Sequence, residues 1–111
     1  MKRDKDWQKF EDYIAEELKE IDSNATHTKG SRYGDLKVKG LHIECKSYAN
    51  KNVYQEEHMQ KCISEVPFHS DKIPLLVTKN QDNDIRVHMS WLDFKDLYFE
   101  FIKLKYGEKD E

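Results

Sequence analysis

No apolar run in this 111-residue chain approaches the roughly 20 residues needed to span a bilayer. The start Met1-Lys2-Arg3-Asp4-Lys5-Asp6 leads into a polar helix and not into the apolar segment of a secretion signal. A soluble chain without a membrane partner is expected, located in the cytoplasm, or in the host cytoplasm for a viral source. Cysteine is also scarce. Cys45 and Cys62 are too few for a disulfide framework and lack the paired spacing of a zinc site, so two reduced, mostly buried thiols are expected. An excess of basic charge is missing too, with 19 Lys and Arg against 22 Asp and Glu and a net charge of -3. The chain as a whole therefore lacks the footprint usual for a nucleic-acid binder. Hydrophobic residues reach only 37%, equal to the charged share, and aromatics at 12% supply the large burying side chains. A chain of this length holds one core, so residues 1–111 are read as a single domain.

The distribution of charge says more than its sum. Between positions 29 and 51, Lys29, Arg32, Lys37, Lys39, Lys46 and Lys51 outnumber Asp35 and Glu44, whereas both ends are acidic. Lys29, Ser31, Arg32 and Lys51 are thus candidate DNA contacts. Ser31 and Arg32 can hold a phosphate through a hydroxyl and a guanidinium, and the plainer alternative for that stretch is a mobile polar loop.

Periodicity predicts the elements. Trp7, Phe10, Ile14, Leu18 and Ile21 fall at helical spacing, with Asp4 or Asp6 as N-cap. A short strand is expected near 25–28. Leu36, Val38, Leu41, Ile43 and Cys45 alternate with polar residues around Lys39-Gly40, the pattern of a β-hairpin. Met59, Cys62, Ile63 and Val66 share a helical face that ends at Pro67. The run Ile73 to Thr78 reads as a buried strand, and Ile85, Val87 and Met89 as a strand paired with it. Ser90, followed by Asp93, opens a last helix expected to close the domain. Its aromatics, Trp91, Phe94, Tyr98, Phe99 and Phe101, predict core packing together with a homodimer interface. The resulting class is α/β, a central mixed sheet flanked by helices in the order α-β-β-α-β-β-α.

Chemistry concentrates on the hairpin. Glu44 and Lys46 are two apart on a strand and share the face opposite Leu41, Ile43 and Cys45. Counting back through Lys39-Gly40 pairs Val38 with Leu41, Leu36 with Ile43 and Asp35 with Glu44. Two carboxylates that close repel unless a cation lies between them, and Mg²⁺ suits such a pair, with Mn²⁺ able to substitute. Such an ion polarises a scissile phosphate and neutralises charge in the transition state. Lys46 either orients the attacking water or stabilises that charge. Glu17-Leu18-Lys19 and Asp93-Phe94-Lys95 repeat the acid-x-Lys spacing, but in helical patterns where positions two apart diverge. His58 and Cys62, four apart, are too few for a zinc site and read as a surface imidazole and a buried thiol.

Gly30-Ser31-Arg32-Tyr33-Gly34-Asp35 and Ile43-Glu44-Cys45-Lys46-Ser47, preceded by a glutamate-bearing helix, resemble the PD-(D/E)xK nucleases, most closely the Holliday junction resolvases of archaeal and phage type. The likeness covers roughly the first half of the chain, and Gly34 stands where the superfamily name has proline. It implies a restriction-endonuclease-like core and a homodimer that cuts branched DNA in recombination or repair. It also implies that Glu11 joins Asp35 and Glu44 at the metal, with Glu16 and Glu17 as alternatives, and that Gln60 or Gln55 assists. Two other functions remain open: a nuclease of this fold acting in restriction, repair or on single strands, and a non-catalytic DNA-binding or protein-interaction domain.

Overall fold

The computed structural model describes residues 2–27, 36–48, 56–68 and 70–107, with residues 2–8 and 27 as backbone only. Asp35, Lys29, Ser31, Arg32, Lys51 and Gln55 lie outside the described residues.

Helix α1, Lys2–Leu18, buries Phe10, Ile14 and Ala15 along one stripe. It begins at Lys2, so Asp4 and Asp6 sit within its first two turns and not at its N-cap. It ends at Leu18, which leaves Ile21 off the apolar stripe and exposed. Past that end, the Asp22 carboxylate accepts from the backbone N–H of Lys39 at 2.9 Å and of Asn24 at 3.0 Å. These two bonds, Lys39 first, hold the Asp22 carboxyl below its ordinary range and tie the helix end to the hairpin turn.

Four principal strands follow, β2 (Leu36–Val38), β3 (Leu41–Ser47), β4 (Ile73–Lys79) and β5 (Ile85–His88), with the two-residue β1 (Thr26–His27) added at the edge. The order across the sheet is β1-β2-β3-β4-β5. Every pairing is antiparallel except β3 with β4, whose parallel connection runs through α2 (Glu56–Glu65) as such a crossover requires. Leu36 pairs with Ile43 and Val38 with Leu41, the register read from the alternation. At the turn only Gly40 takes a positive φ, +82°, while Lys39 does not. Positive φ at the second turn position alone is a type II feature, not type I′. Pro74 is tolerated because β5 pairs with β4 only from Leu76 onward.

Strand alternation divides the sheet into two faces. Leu36, Val38, Ile43, Cys45 and Val77 point toward α1 and form the core with Phe10, Ile14, Ala15 and Ala25. The other face of β3 lies under α2. A mixed sheet flanked by helices is therefore present, but the last helix departs from expectation. Helix α3 (Trp91–Tyr106) opens on Ser90, whose Oγ accepts from the Asp93 N–H at 3.1 Å, as the sequence predicted. It nevertheless buries none of its residues and, among the described residues, packs substantially on no other element. It does not close the domain, because an apolar surface records that something covers it, not which surface does. Among the described residues no helix is long and apolar enough to cross a membrane.

Candidate metal centre

Strand β3 is paired on both edges and covered on both faces, so even its polar side chains go inside. His42 and Glu44 are 2% and 7% exposed. Buried polar groups need partners, and α2 supplies them. His42 Nε2 lies 3.3 Å from Oε1 of Glu65, in the last turn of α2, and 3.9 Å from Oε1 of Glu44. The three donor atoms lie within 4.8 Å of one another.

Burial acts to raise the Glu65 carboxyl, but hydrogen bonds to Glu44 and then His42 outweigh it and hold Glu65 below its ordinary range. Two carboxyl groups hydrogen-bond only by sharing a proton, and a cation is the other way to hold them together. The spacing tests the fit. Ligands about 2.1 Å from one ion stand about 3.0 Å apart at octahedral angles and about 3.4 Å apart at tetrahedral ones. The 3.3 Å and 3.9 Å separations are near that range. His42, Glu44 and Glu65 can therefore hold a metal ion.

Lys46 follows on the same face, half-buried. Beyond it, Tyr48 Oη and His58 Nδ1 are 2.6 Å apart with their rings stacked. Burial first, then the Lys46 ammonium, push the His58 imidazole below its ordinary pKa. His58 is thus a partly buried partner of Tyr48 and not the surface imidazole expected. Cys62 on the same helix face sits 3.7 Å from the His42 carbonyl and 3.6 Å from that of Leu75. Burial, reinforced by Glu44, pushes its thiol up to about 12. Cys45 is likewise a buried thiol outside any disulfide. Across the parallel register from Lys46, Thr78 Oγ1 lies 3.0 Å from His88 Nε2. Burial and then Arg86 lower that imidazole too.

The two histidines carry a pH consequence. An unfolded histidine binds its proton near pH 6.5, whereas folded His58 and His88 bind it only at lower pH. Between those values the unfolded chain holds more protons, so stability is full above about pH 6.5 and declines as pH falls below it. The melting temperature is expected to drop between about pH 7.5 and about pH 5.5. His58→Gln should flatten that slope, and an unchanged slope in His58→Gln with His88→Gln would refute the assignment.

Of the other residues marked in the sequence, Glu11 is fully buried on α1, while Glu16 and Glu17 are exposed and Glu16 pairs with Lys19 at 2.9 Å. Glu11 turns inward from the helix on the opposite face of the sheet and is not in the His42 cluster. Gln60 is exposed and donates to Glu56 at 2.6 Å, so the structure does not bring it to the site. His42 and Glu65 were missed. The first was legible from its even spacing with Glu44 and Lys46, the second by extending His58 and Cys62 one helical turn to position 65. Comparison with models of known families, with curated proteins and with solved structures finds no match to this chain.

Proposed function

We propose that this chain is a metal-dependent endodeoxyribonuclease of the PD-(D/E)xK type with a restriction-endonuclease-like core, cutting branched DNA in the manner of a Holliday junction resolvase. The observation that carries the reading is the β3 face, where a glutamate in a metal-capable cluster and a lysine stand two residues apart. The element order and the Leu36–Ile43 register support it. The hairpin pairing read from the sequence sets Asp35, which lies outside the described residues, opposite Glu44 as a second carboxylate.

In this reading Glu44 is the shared ligand, with Asp35 on one side and His42 and Glu65 on the other. These residues would hold a divalent ion, which would supply polarisation of the scissile phosphate and neutralisation of charge in the transition state. Lys46 directs its ammonium at the attacking water or at the charge developing on phosphate oxygen. Glu65, whose carboxyl is held below its ordinary range, supplies negative charge for the cation. Mg²⁺ was the expected ion; the His42 imidazole shifts the preference to Mn²⁺. Lys29, Ser31, Arg32 and Lys51 are proposed as phosphate contacts, Gln55 and Glu11 as auxiliary groups, and the cytoplasm as the location.

The test is cleavage of a labelled four-way junction, a linear duplex and a single strand, each with Mn²⁺, Mg²⁺ or chelator. Metal-dependent cutting with preference for the junction is expected. Cutting confined to duplex or single strand would move the enzyme to a restriction or repair role. Failure to cut any substrate with either metal would overturn the nuclease reading. One observation favours a second reading: two of the three cluster ligands are buried, as in closed structural metal sites. There the ion would only brace α2 on β3, and Mn²⁺ would raise the melting temperature of a chain that cuts nothing.

A further inference from the structure

Among the described residues, helix α3 is the long element with no buried residue. Its residues lie exposed or half-exposed, with Trp91 68%, Phe99 63% and Leu104 86% exposed. At 100° per residue its apolar positions sweep an arc of about 240°, against the ~100° stripe of a surface helix. One side carries a ladder of rings, Trp91, Phe94, Tyr98 and Phe101, with successive centroids 5.9, 6.1 and 6.3 Å apart. The radius of gyration, 15.3 Å, exceeds the ~13 Å of a compact chain of this length.

The complementary feature lies on the same chain. α1 lies over β1, β2 and β3 and reaches β4 through Phe10 and Ile14, whereas Ile85 and Val87 of β5 are left exposed. Beside it runs an apolar groove of about 320 Å³, lined by Ile14, Leu18, Leu75, Val77, Ile85 and Val87. Val87 at its outer edge is 58% exposed. The sheet face there lacks a helix, and α3 lacks a sheet.

We propose that α3 of one copy docks into the α1–β5 groove of a second copy, giving a dimer by reciprocal exchange of α3. Three observations select this occupant. Only Met89 and Ser90 separate β5 from α3, and Ser90 is engaged as the helix cap with φ -71° and ψ 151°. A hinge that short holds the helix away from its own sheet and favours exchange between chains. The helix carries Asp93, Asp96 and Glu100 against Lys95, Lys103 and Lys105, so it is neutral and offers no attraction to anionic lipid or to a polyphosphate. The area also suffices. Covering its half-exposed aromatics and leucines buries on the order of 1,000 Å² per helix by the usual side-chain areas. A standard interface needs about 800 Å² per partner, and exchange forms the contact twice.

The full chain at about 1–100 μM is expected to sediment at twice its 13.3 kDa mass. Phe94→Glu, Tyr98→Glu and Val87→Asp should each sediment as monomers. The α3 variants should keep their far-ultraviolet spectrum, because α3 supports nothing in its own chain. Contact identity is read by mixing Val87→Cys protein with Phe94→Cys protein and adding a short bismaleimide, to which buried Cys45 and Cys62 are silent. A cross-linked heterodimer carrying one variant of each kind is the predicted product. Cross-links only between two Phe94→Cys chains would show α3 pairing with α3 and overturn the exchange. A monomer at 100 μM would overturn it too, whether α3 proves folded back on its own groove or bound to added phosphatidylcholine vesicles.

Discussion

Glu44→Gln is expected to lower metal-dependent cleavage at least ~100-fold, the scale of losing one preorganised electrostatic contact to a reacting phosphate. The substitution preserves shape. Glutamine can still hydrogen-bond with Glu65, so the buried junction of β3 and α2 keeps a polar partner. What disappears is the negative charge that a cation needs. Removing one carboxylate from a pair that must share a proton also relieves repulsion, so the variant should unfold at the temperature of the parent chain or slightly above it. Loss of activity together with loss of folding would point to a structural glutamate. Full activity in a folded variant would remove Glu44 from the chemistry.

The largest expected effect on stability falls one residue away. Ile43→Ala should cost about 2–5 kcal/mol, because the residue is 1% exposed at the centre of the sheet, between Leu36 on β2 and Leu75 on β4. A small domain has about 5–15 kcal/mol in hand, so the loss consumes a large part of it. The denaturant midpoint should move down with little change in slope, since the surface exposed on unfolding is nearly the same. A cost below about 1 kcal/mol would mean that the site collapses around the missing methyl groups and that the α1 face is less tightly packed than the burial implies.

Both residues were legible in the sequence for one reason, the period of two. Alternation across Lys39-Gly40 set Leu36 opposite Ile43 and sent Glu44 and Lys46 to the opposite face, and the ladder has that register. The buried β4, its pairing with β5 and the Ser90 cap were likewise written in local pattern. What local pattern lacks is the identity of a neighbour distant in sequence. Glu65 meets His42 only because the parallel β3–α2–β4 crossover lays the end of α2 over β3, and no spacing within either segment encodes that meeting. The same limit explains α3. Its apolar rings predict a covered surface equally well whether the cover is its own sheet or another copy's.

The metal centre itself is open to a single direct measurement, the calorimetric titration of Mn²⁺ into the metal-free chain and into His42→Ala, Glu44→Gln and Glu65→Gln. The account predicts saturable binding to the parent chain, weakened about 10-fold or more in each variant, as loss of one ligand from a mixed nitrogen and oxygen set requires. Binding to His42→Ala and Glu65→Gln as tight as to the parent chain would contradict it.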